Sequence, residues 1–274
     1  MTCVLIYHDV APAGEQQNCG FPGSVAARYK LTPGDFDAHL SAIASTGLRV
    51  GLIESNPSVA LTFDDGGRSA LTVASSLERR GWVGHFFITT GRVGAPGFLN
   101  ADGIRELVAR GHDVGSHSHT HPGYMGRLAR SEIAREWRQS RDSLGEIIGA
   151  LPRSAAVPGG FLSRAVIEEA AGAGYRLLMT STPSIRREHF GPMLVQGRYT
   201  VWANTSARRV AGYARKRPFA RVTMRVGWEA KSASKRLSPD GYEALRRAML
   251  GARSSGGPDS RRGADARGSS EKRS

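Results

Sequence analysis

The stretch SVALTFDDGG, residues 58–67, decides the fold. Its first six residues form an apolar run of the length and composition typical of a buried strand. Two carboxylates and two glycines follow at once, and residues 68–80 then show helical periodicity. A buried strand that leads through a short turn into a helix is the repeating unit of a parallel α/β sheet.

The same alternation of apolar runs and helical segments continues on both sides of this stretch. Residues 9–31, rich in Gly, Pro, Asn and Gln, predict a long loop of the kind that carries function. Six or seven strand–helix units predict a parallel barrel or a doubly wound sheet. The pattern predicts strands over 4–8, 58–63, 85–89, 112–116, 155–157, 175–179 and 193–201, and helices over 32–46, 68–80, 101–110, 131–148 and 163–173.

The positive charge of the chain lies near its C-terminal end. The formal net charge is +14, of which residues 204–274 hold 18 Lys and Arg against 6 Asp and Glu, whereas residues 1–203 hold 20 against 18. This basic segment is either a solubilising tail or a contact for phosphates, anionic lipid or an acidic glycan. Because no helix-turn-helix, zinc-finger or stacking-aromatic signature accompanies it, we expect no nucleic-acid partner.

The strand–helix pattern and the composition predict a folded domain over 1–205, a basic helical extension over 206–250 that packs on or follows the barrel, and a disordered basic tail over 251–274. We expect no signal peptide and no transmembrane helix, because the sequence lacks a charged n-region and a long apolar run. Two cysteines cannot form a disulfide framework. A cytoplasmic location is therefore expected, with peripheral association at the inner membrane surface through the basic segment as an alternative.

Two polar motifs follow predicted strands, namely Asp64-Asp65 and the run GSHSHTHP over residues 115–122. His117 and His121 lie four residues apart and would face the same way on a helical turn. One carboxylate and two imidazoles suit Zn²⁺ or a similar divalent ion, and the other carboxylate is then free to act as a base. The structural alternative is that the two aspartates cap a helix while the histidines occupy a polar turn.

The motifs TFDDG (62–66) and HSHTHP (117–122) resemble the first two motifs of the polysaccharide deacetylases, the NodB-homology group of carbohydrate esterase family 4. The resemblance covers residues 1–205 and implies that they form the catalytic domain. It implies a distorted (β/α)7-type barrel, a divalent metal and hydrolysis of an N-acetyl group on a sugar. By position it implies that Asp64 is the general base and that Asp65, His117 and His121 hold the metal.

The chain departs from the family pattern in two places. Its third motif reads AAVPGG, residues 155–160, without the usual Arg that orients the base, so Arg153 and Arg198 are the alternatives for that task. The late Leu-His motif that supplies the general acid is missing. The start Ile6-Tyr7-His8-Asp9 resembles that of the biofilm poly-N-acetylglucosamine deacetylases, which implies His8 as the acid; the alternative is a structural histidine at a strand end.

The motifs also suggest where substrate binds. Backbone N–H groups near Pro158, Gly159 and Gly160 are expected to support an oxyanion, since glycines permit close approach. Tyr124 and Phe161 are expected to line the cleft. The sequence thus predicts a metal-dependent carbohydrate N-deacetylase acting on an N-acetylated glycan. Two alternatives remain open: an amidohydrolase acting on a small non-sugar amide, and a catalytically degenerate glycan-binding protein.

Overall fold

The computed structural model describes residues 1–160 and 162–237, with side chains described to residue 229. Its elements alternate between strands and helices, as the sequence predicts. Within the described residues the strands are β1 Cys3–Tyr7, β2 Val59–Phe63, β3 His85–Ile88, β4 Asp113–Ser116, β5 Ser154–Ala156, β6 Leu177–Met179, β7 Arg187–Phe190, β8 Met193–Gln196 and β9 Tyr199–Thr200. The helices are α1 Ser24–Ala27, α2 Pro33–Ala44, α3 Ala70–Glu78, α4 Ala101–Ala109, α5 Arg130–Ile148, α6 Arg164–Gly172, α7 Ala207–Ala214 and α8 Pro218–Leu237.

The nine described strands form one curled sheet in the order β7-β8-β6-β5-β4-β3-β2-β1-β9. All neighbouring pairs are parallel except β7 and β8. The helices that connect the parallel strands cover the sheet, which makes an incomplete α/β barrel. The prediction of a distorted barrel is therefore confirmed.

Two adjacent strands, β1 and β2, are buried along their whole length. Every residue of β1 and β2 is buried, as expected for parallel strands that are covered on both faces. Helix starts follow local capping chemistry: the Thr32 side chain accepts a hydrogen bond from the Asp35 N–H, and Asn100 accepts one from the Gly103 N–H. Helix α5 ends at Ile148 and is capped by Gly149, which has a positive φ of 73°.

The predicted strand over 193–201 is wrong in one respect, because it is two strands. Strand β8 pairs with β6, whereas β9 pairs with β1 on the opposite side of the sheet. The break falls at Gly197, where a Cβ would lie 2.5 Å from the Thr182 carbonyl oxygen. Strand β7 was not predicted, because its polar sequence REHF is partly exposed at the sheet edge.

The long loop between β1 and α2 is held together from inside by one ammonium group. Lys30 is buried, and its Nζ donates to the carbonyl oxygens of Gln16 at 2.6 Å and Phe21 at 2.7 Å, and also to that of Cys19. A buried ammonium group needs hydrogen-bond partners, so the three carbonyl groups must stay in place around Lys30. The loop is therefore an ordered part of the domain.

The first part of the basic extension joins the main body. Helix α7 packs on α2 and buries Val210, Tyr213 and Ala214. The first compact unit of the chain covers Met1–Ser232 and so includes most of α8. Helix α8 itself continues to Leu237. The rest of the predicted helical extension, residues 238–250, and the predicted tail over 251–274 lie outside the described residues. Among the described helices, none has the length and apolar content needed to cross a bilayer.

Candidate active site

The two polar motifs meet at one edge of the sheet. Asp64 and Asp65 follow the end of β2, and the segment 117–121 follows the end of β4. Because these strands are parallel, their carboxyl ends lie on the same side. Asp65 and His121 have positive φ angles of 80° and 61°. Residues with a side chain keep such angles only where the surrounding contacts hold the backbone in place.

Three potential ligand atoms converge here. The Nε2 atoms of His117 and His121 lie 3.5 and 3.4 Å from Asp65 Oδ1. The three ligand atoms all lie within 4.8 Å of one another. Asp65 Oδ1 is buried and has no hydrogen-bond partner among the described residues. A carboxylate oxygen that faces two imidazole nitrogens in this way fits a divalent cation. The structure therefore brings together the three residues that the sequence predicts as metal ligands, Asp65, His117 and His121.

The orientation of His117 is fixed from behind. Its Nδ1 lies 2.9 Å from the Ala156 carbonyl oxygen, a contact that requires Nδ1 to donate. The lone pair of Nε2 then faces Asp65, which is the ligating tautomer. Burial lowers the pKa of His117 to about 3, which keeps the ring neutral and able to ligate.

Asp64 is held by a two-point ion pair with Arg198. The guanidinium Nη1 and Nη2 atoms lie 2.7 and 2.9 Å from the two carboxylate oxygens, and both side chains are almost fully buried. Burial alone would raise the pKa of Asp64, but Arg198 and His117 lower it to about 2. Asp64 Oδ2 is 3.9 Å from His117 Nε2, which places this carboxylate beside the ligand trio.

Of the two arginines that could replace the missing one, Arg153 and Arg198, it is Arg198 that contacts Asp64. It lies in the link between β8 and β9, and it also donates to Thr62 Oγ1 at 2.9 Å and to the Thr180 carbonyl at 3.2 Å. Arg153, in contrast, is exposed at the start of β5. Arg198 is therefore the residue that holds Asp64.

The neighbouring aspartates have opposite electrostatic surroundings. Burial raises the pKa of Asp65 to about 7; the charge of His8 opposes the shift, whereas Asp64 and Asp9 add to it. Two adjacent buried carboxylates, of which only one has a guanidinium partner, push their pKa values apart. Asp65 therefore lacks a counter-charge of the kind that Arg198 gives Asp64, and a cation would supply one.

The histidine loop is fastened to α5 by Glu136. This buried carboxylate accepts hydrogen bonds from the backbone N–H groups of His119 and Thr120 at 2.9 and 2.8 Å, and from Thr120 Oγ1 at 2.6 Å. Ser118 Oγ accepts from the His121 N–H at 3.1 Å. Sequence reasoning missed Glu136, because nothing distinguishes it from the other glutamates of α5.

His8 and the N-terminal loop border the same site. The His8 ring lies 4.7 Å from that of Tyr29, and its buried Nδ1 has no hydrogen-bond partner among the described residues. Its charge is close enough to lower the pKa of both Asp64 and Asp65. The Phe21 ring packs 4.8 Å from that of His121. Phe21 is a second residue that sequence reasoning missed.

The third-motif turn, residues 158–160, sits at the end of β5. Gly160 has a φ of 71°, and a Cβ there would overlap the Ser181 side chain. Its N–H donates to the Val157 carbonyl and Pro158 has no N–H, so Gly159 is the remaining candidate for an oxyanion donor. Phe161 lies outside the described residues. Tyr124 is half-buried, with the Arg127 guanidinium 5.3 Å from its ring centre.

Comparison with known proteins agrees with this geometry. The family model described as polysaccharide deacetylase matches residues 53–178, a segment that contains the aspartate pair and the histidine loop. Residues 53–178, just under half of the chain, are therefore similar to the polysaccharide deacetylase family. The peptidoglycan-N-acetylglucosamine deacetylase PgdA of Listeria monocytogenes is 29% identical over 118 residues, which are 42% of this chain and 24% of PgdA. The chain thus spans about a quarter of that curated relative.

Solved structures show the same fold at lower identity. A polysaccharide deacetylase from Bacillus cereus matches with a TM-score of 0.66 and 20% identity, covering 78% of this chain and 68% of that one. The Streptococcus pyogenes deacetylase PplD matches with a TM-score of 0.64 and 19% identity, covering 76% and 95%. At these identities the likeness shows the fold alone, and the chemistry of the site rests on the residues described above.

Proposed function

We propose that this chain is a metal-dependent hydrolase that removes N-acetyl groups from an N-acetylated sugar. One observation carries the proposal: Asp65, His117 and His121 converge on one point, beside an Asp64 that Arg198 holds in place. The family match over residues 53–178 favours a sugar N-acetyl group as the substrate.

The residues present fit a divalent cation. Asp65 Oδ1 is a buried oxygen without a hydrogen-bond partner among the described residues, and the donor set of one carboxylate and two imidazoles is the set that Zn²⁺ accepts. A divalent cation held there supplies Lewis acidity, which polarises an amide carbonyl and acidifies water. We infer Zn²⁺ as the metal, because two of the three ligands are nitrogens.

The side chains around this trio divide the proton transfers between them. Asp64 is ionised at neutral pH and accepts the proton of the attacking water. Since Arg198 makes Asp64 a weak base, the reaction depends on a water that is more acidic than bulk water. Arg198 holds the carboxylate in its orientation, and the Gly159 N–H supports the developing oxyanion in this proposal.

His8 completes the reaction as the acid. The leaving nitrogen must gain a proton when the amide bond breaks, and His8 is the partly buried imidazole on the β1 side of the site. The products are acetate and a sugar with a free amine. In this proposal the substrate is an N-acetylated glycan, and the enzyme works in the cytoplasm or peripherally at the inner membrane surface.

Metal analysis and an acetate-release assay on N-acetylglucosamine oligomers test the proposal. Asp65→Asn, His117→Ala and His121→Ala should each lose bound metal, whereas Asp64→Asn should keep it and lose turnover by about 10² to 10⁴. His119→Ala is the matched control, because His119 belongs to the same loop but bonds to Thr90 Oγ1 at 2.9 Å and not to the trio.

Three results would overturn the proposal or part of it. Stoichiometric metal without turnover of any saccharide, but with turnover of small cyclic amides, would move the substrate to the non-sugar class. A protein without metal and without turnover would be a degenerate glycan-binding domain. Acetate release that Asp64→Asn leaves unchanged would remove the base assignment.

A further inference from the structure

Helix α8 carries an apolar stripe that faces solvent. Phe219, Val222 and Val226 are 80%, 57% and 59% exposed. Their spacing of three and four residues puts them on one face of the helix. Large apolar side chains exposed in a row, and not singly, indicate a surface that another apolar phase covers.

The opposite face of α8 is docked on the body of the domain, so the direction of the stripe is fixed. Met224 is buried in the main core, and Ala220 packs against that core. Arg221 Nε donates to the Tyr199 hydroxyl, in β9, at 3.0 Å. The stripe therefore points away from the sheet.

The surroundings of the stripe are strongly basic. Among the described side chains from 207 to 229, seven are Lys or Arg, and Glu229 is the one acidic residue. Arg215 and Arg217 are exposed just before the helix, and Arg225 is exposed within it. The basic residues of this segment are Arg208, Arg209, Arg215, Lys216, Arg217, Arg221 and Arg225.

We propose that this face binds the surface of a bilayer that contains anionic lipid. An apolar stripe beside basic side chains matches the layered chemistry of a membrane interface, where acyl chains lie beneath negative headgroups. A second copy of the chain would bring the same positive charge and would be repelled. Residues 238–274 hold 8 Lys and Arg against 5 Asp and Glu, so this segment of the chain is also net positive.

The test measures binding of the full chain to vesicles by co-sedimentation. One set contains phosphatidylcholine alone, and the other contains roughly one quarter phosphatidylglycerol. The full chain should bind the anionic vesicles and not the neutral ones. Phe219→Ser combined with Val226→Ser should weaken this binding about tenfold, because both side chains are exposed and their change leaves the core intact.

Matched variants separate a membrane face from general surface effects. Leu151→Ser removes another exposed apolar side chain, 51% exposed, and should leave binding unchanged. Arg215→Gln combined with Arg217→Gln should weaken binding and its salt dependence, whereas Arg164→Gln combined with Arg186→Gln, a pair that is also exposed, should not.

Three results would overturn the proposal. The first is that the full chain does not co-sediment with anionic vesicles. The second is a double variant, Phe219→Ser with Val226→Ser, that binds anionic vesicles as strongly as the unaltered chain, since charge alone would then explain the binding. The third is a dimer in sedimentation velocity that this double variant dissociates, because a second copy would then cover the stripe.

Discussion

Arg198 and Asp64 form a two-point ion pair although 134 positions separate them in the chain. Arg198 lies where the chain leaves β8 and enters β9, the strand beside β1, whereas Asp64 directly follows β2. A guanidinium fork fixes both oxygens of a carboxylate, whereas a single ammonium fixes only one point. We propose that Arg198, which comes from another part of the barrel, takes the role of the arginine that the third motif lacks.

Replacing Arg198 by Lys tests whether this geometry matters for turnover. The substitution keeps the positive charge but gives up the fork, so we expect kcat for acetate release to fall by about 10²-fold as Asp64 loses its orientation. Metal affinity, measured by titration with Zn²⁺, should stay the same because Arg198 does not contact the ligand trio. Removal of the charge, as in Arg198→Gln, is less informative because breaking a buried pair destabilises a fold by about 3–5 kcal/mol.

A double-mutant cycle shows whether Arg198 acts through Asp64. In the Asp64→Asn background, Arg198→Lys should cause no further loss of kcat, because the group that it orients is already disabled. Thermal melts of all four proteins control for folding. If the two losses multiply, Arg198 acts on the reaction independently of Asp64 and the positioning role is wrong.

Glu136 should control metal affinity without contacting the metal site. Glu136→Gln keeps the size of the side chain but leaves one acceptor oxygen for three donors from His119 and Thr120. The loop that carries His121 should then loosen, and Zn²⁺ affinity should fall by about 10- to 100-fold, as for other residues that support metal ligands. Competition with a chelating dye measures the change.

Glu146 offers a control for Glu136 on the same helix. Glu146 is exposed, so Glu146→Gln removes the same charge from α5 without touching the histidine loop. Zn²⁺ affinity should be that of the unaltered chain. Equal loss of affinity in both variants would mean that the charge of α5, and not the three hydrogen bonds, supports the site.

The sequence predicts the ligand trio because its arrangement follows from local facts. Asp65 follows one buried strand and His117 another, and parallel strands bring their carboxyl ends to the same edge. The position of Arg198 depends instead on which strands meet across the barrel, and the break at Gly197 that sends it there is hidden inside an apolar run. Glu136 has a sequence context like that of other helix glutamates, so only the packed structure reveals it.

The histidine geometry shows a second limit of sequence reasoning. The spacing of His117 and His121 predicts a shared face on a helical turn, and the two Nε2 atoms do face one oxygen. The segment is a loop, however, in which Ser118 and His121 both have positive φ angles. Tertiary contacts, and above all the bonds to Glu136, maintain a backbone that local preference disfavours.

Both cysteines should be inert toward thiol reagents in the folded protein. Burial raises the pKa of Cys3 to about 12, and burial together with the charge of Asp9 raises that of Cys19 to about 11. Because the thiolate is the reactive form, labelling with a disulfide reagent at about pH 8 should be slow at both sites and should rise only well above that pH. Denaturant should release both thiols, and rapid labelling of the native protein would contradict the prediction.

Lys30→Met should make Cys19 reactive and leave Cys3 protected. Methionine fills the space of the lysine stem but cannot donate to the carbonyls of Gln16, Cys19 and Phe21, and each buried carbonyl left without a donor costs roughly 1–3 kcal/mol. The loop between β1 and α2 should therefore open locally, at a lower free energy than global unfolding. Mass spectrometry after a short labelling pulse distinguishes the two cysteines. Cys3 lies in the fully buried strand β1 and serves as the internal control. Equal acceleration at both sites would show that Lys30 stabilises the whole domain and not the loop.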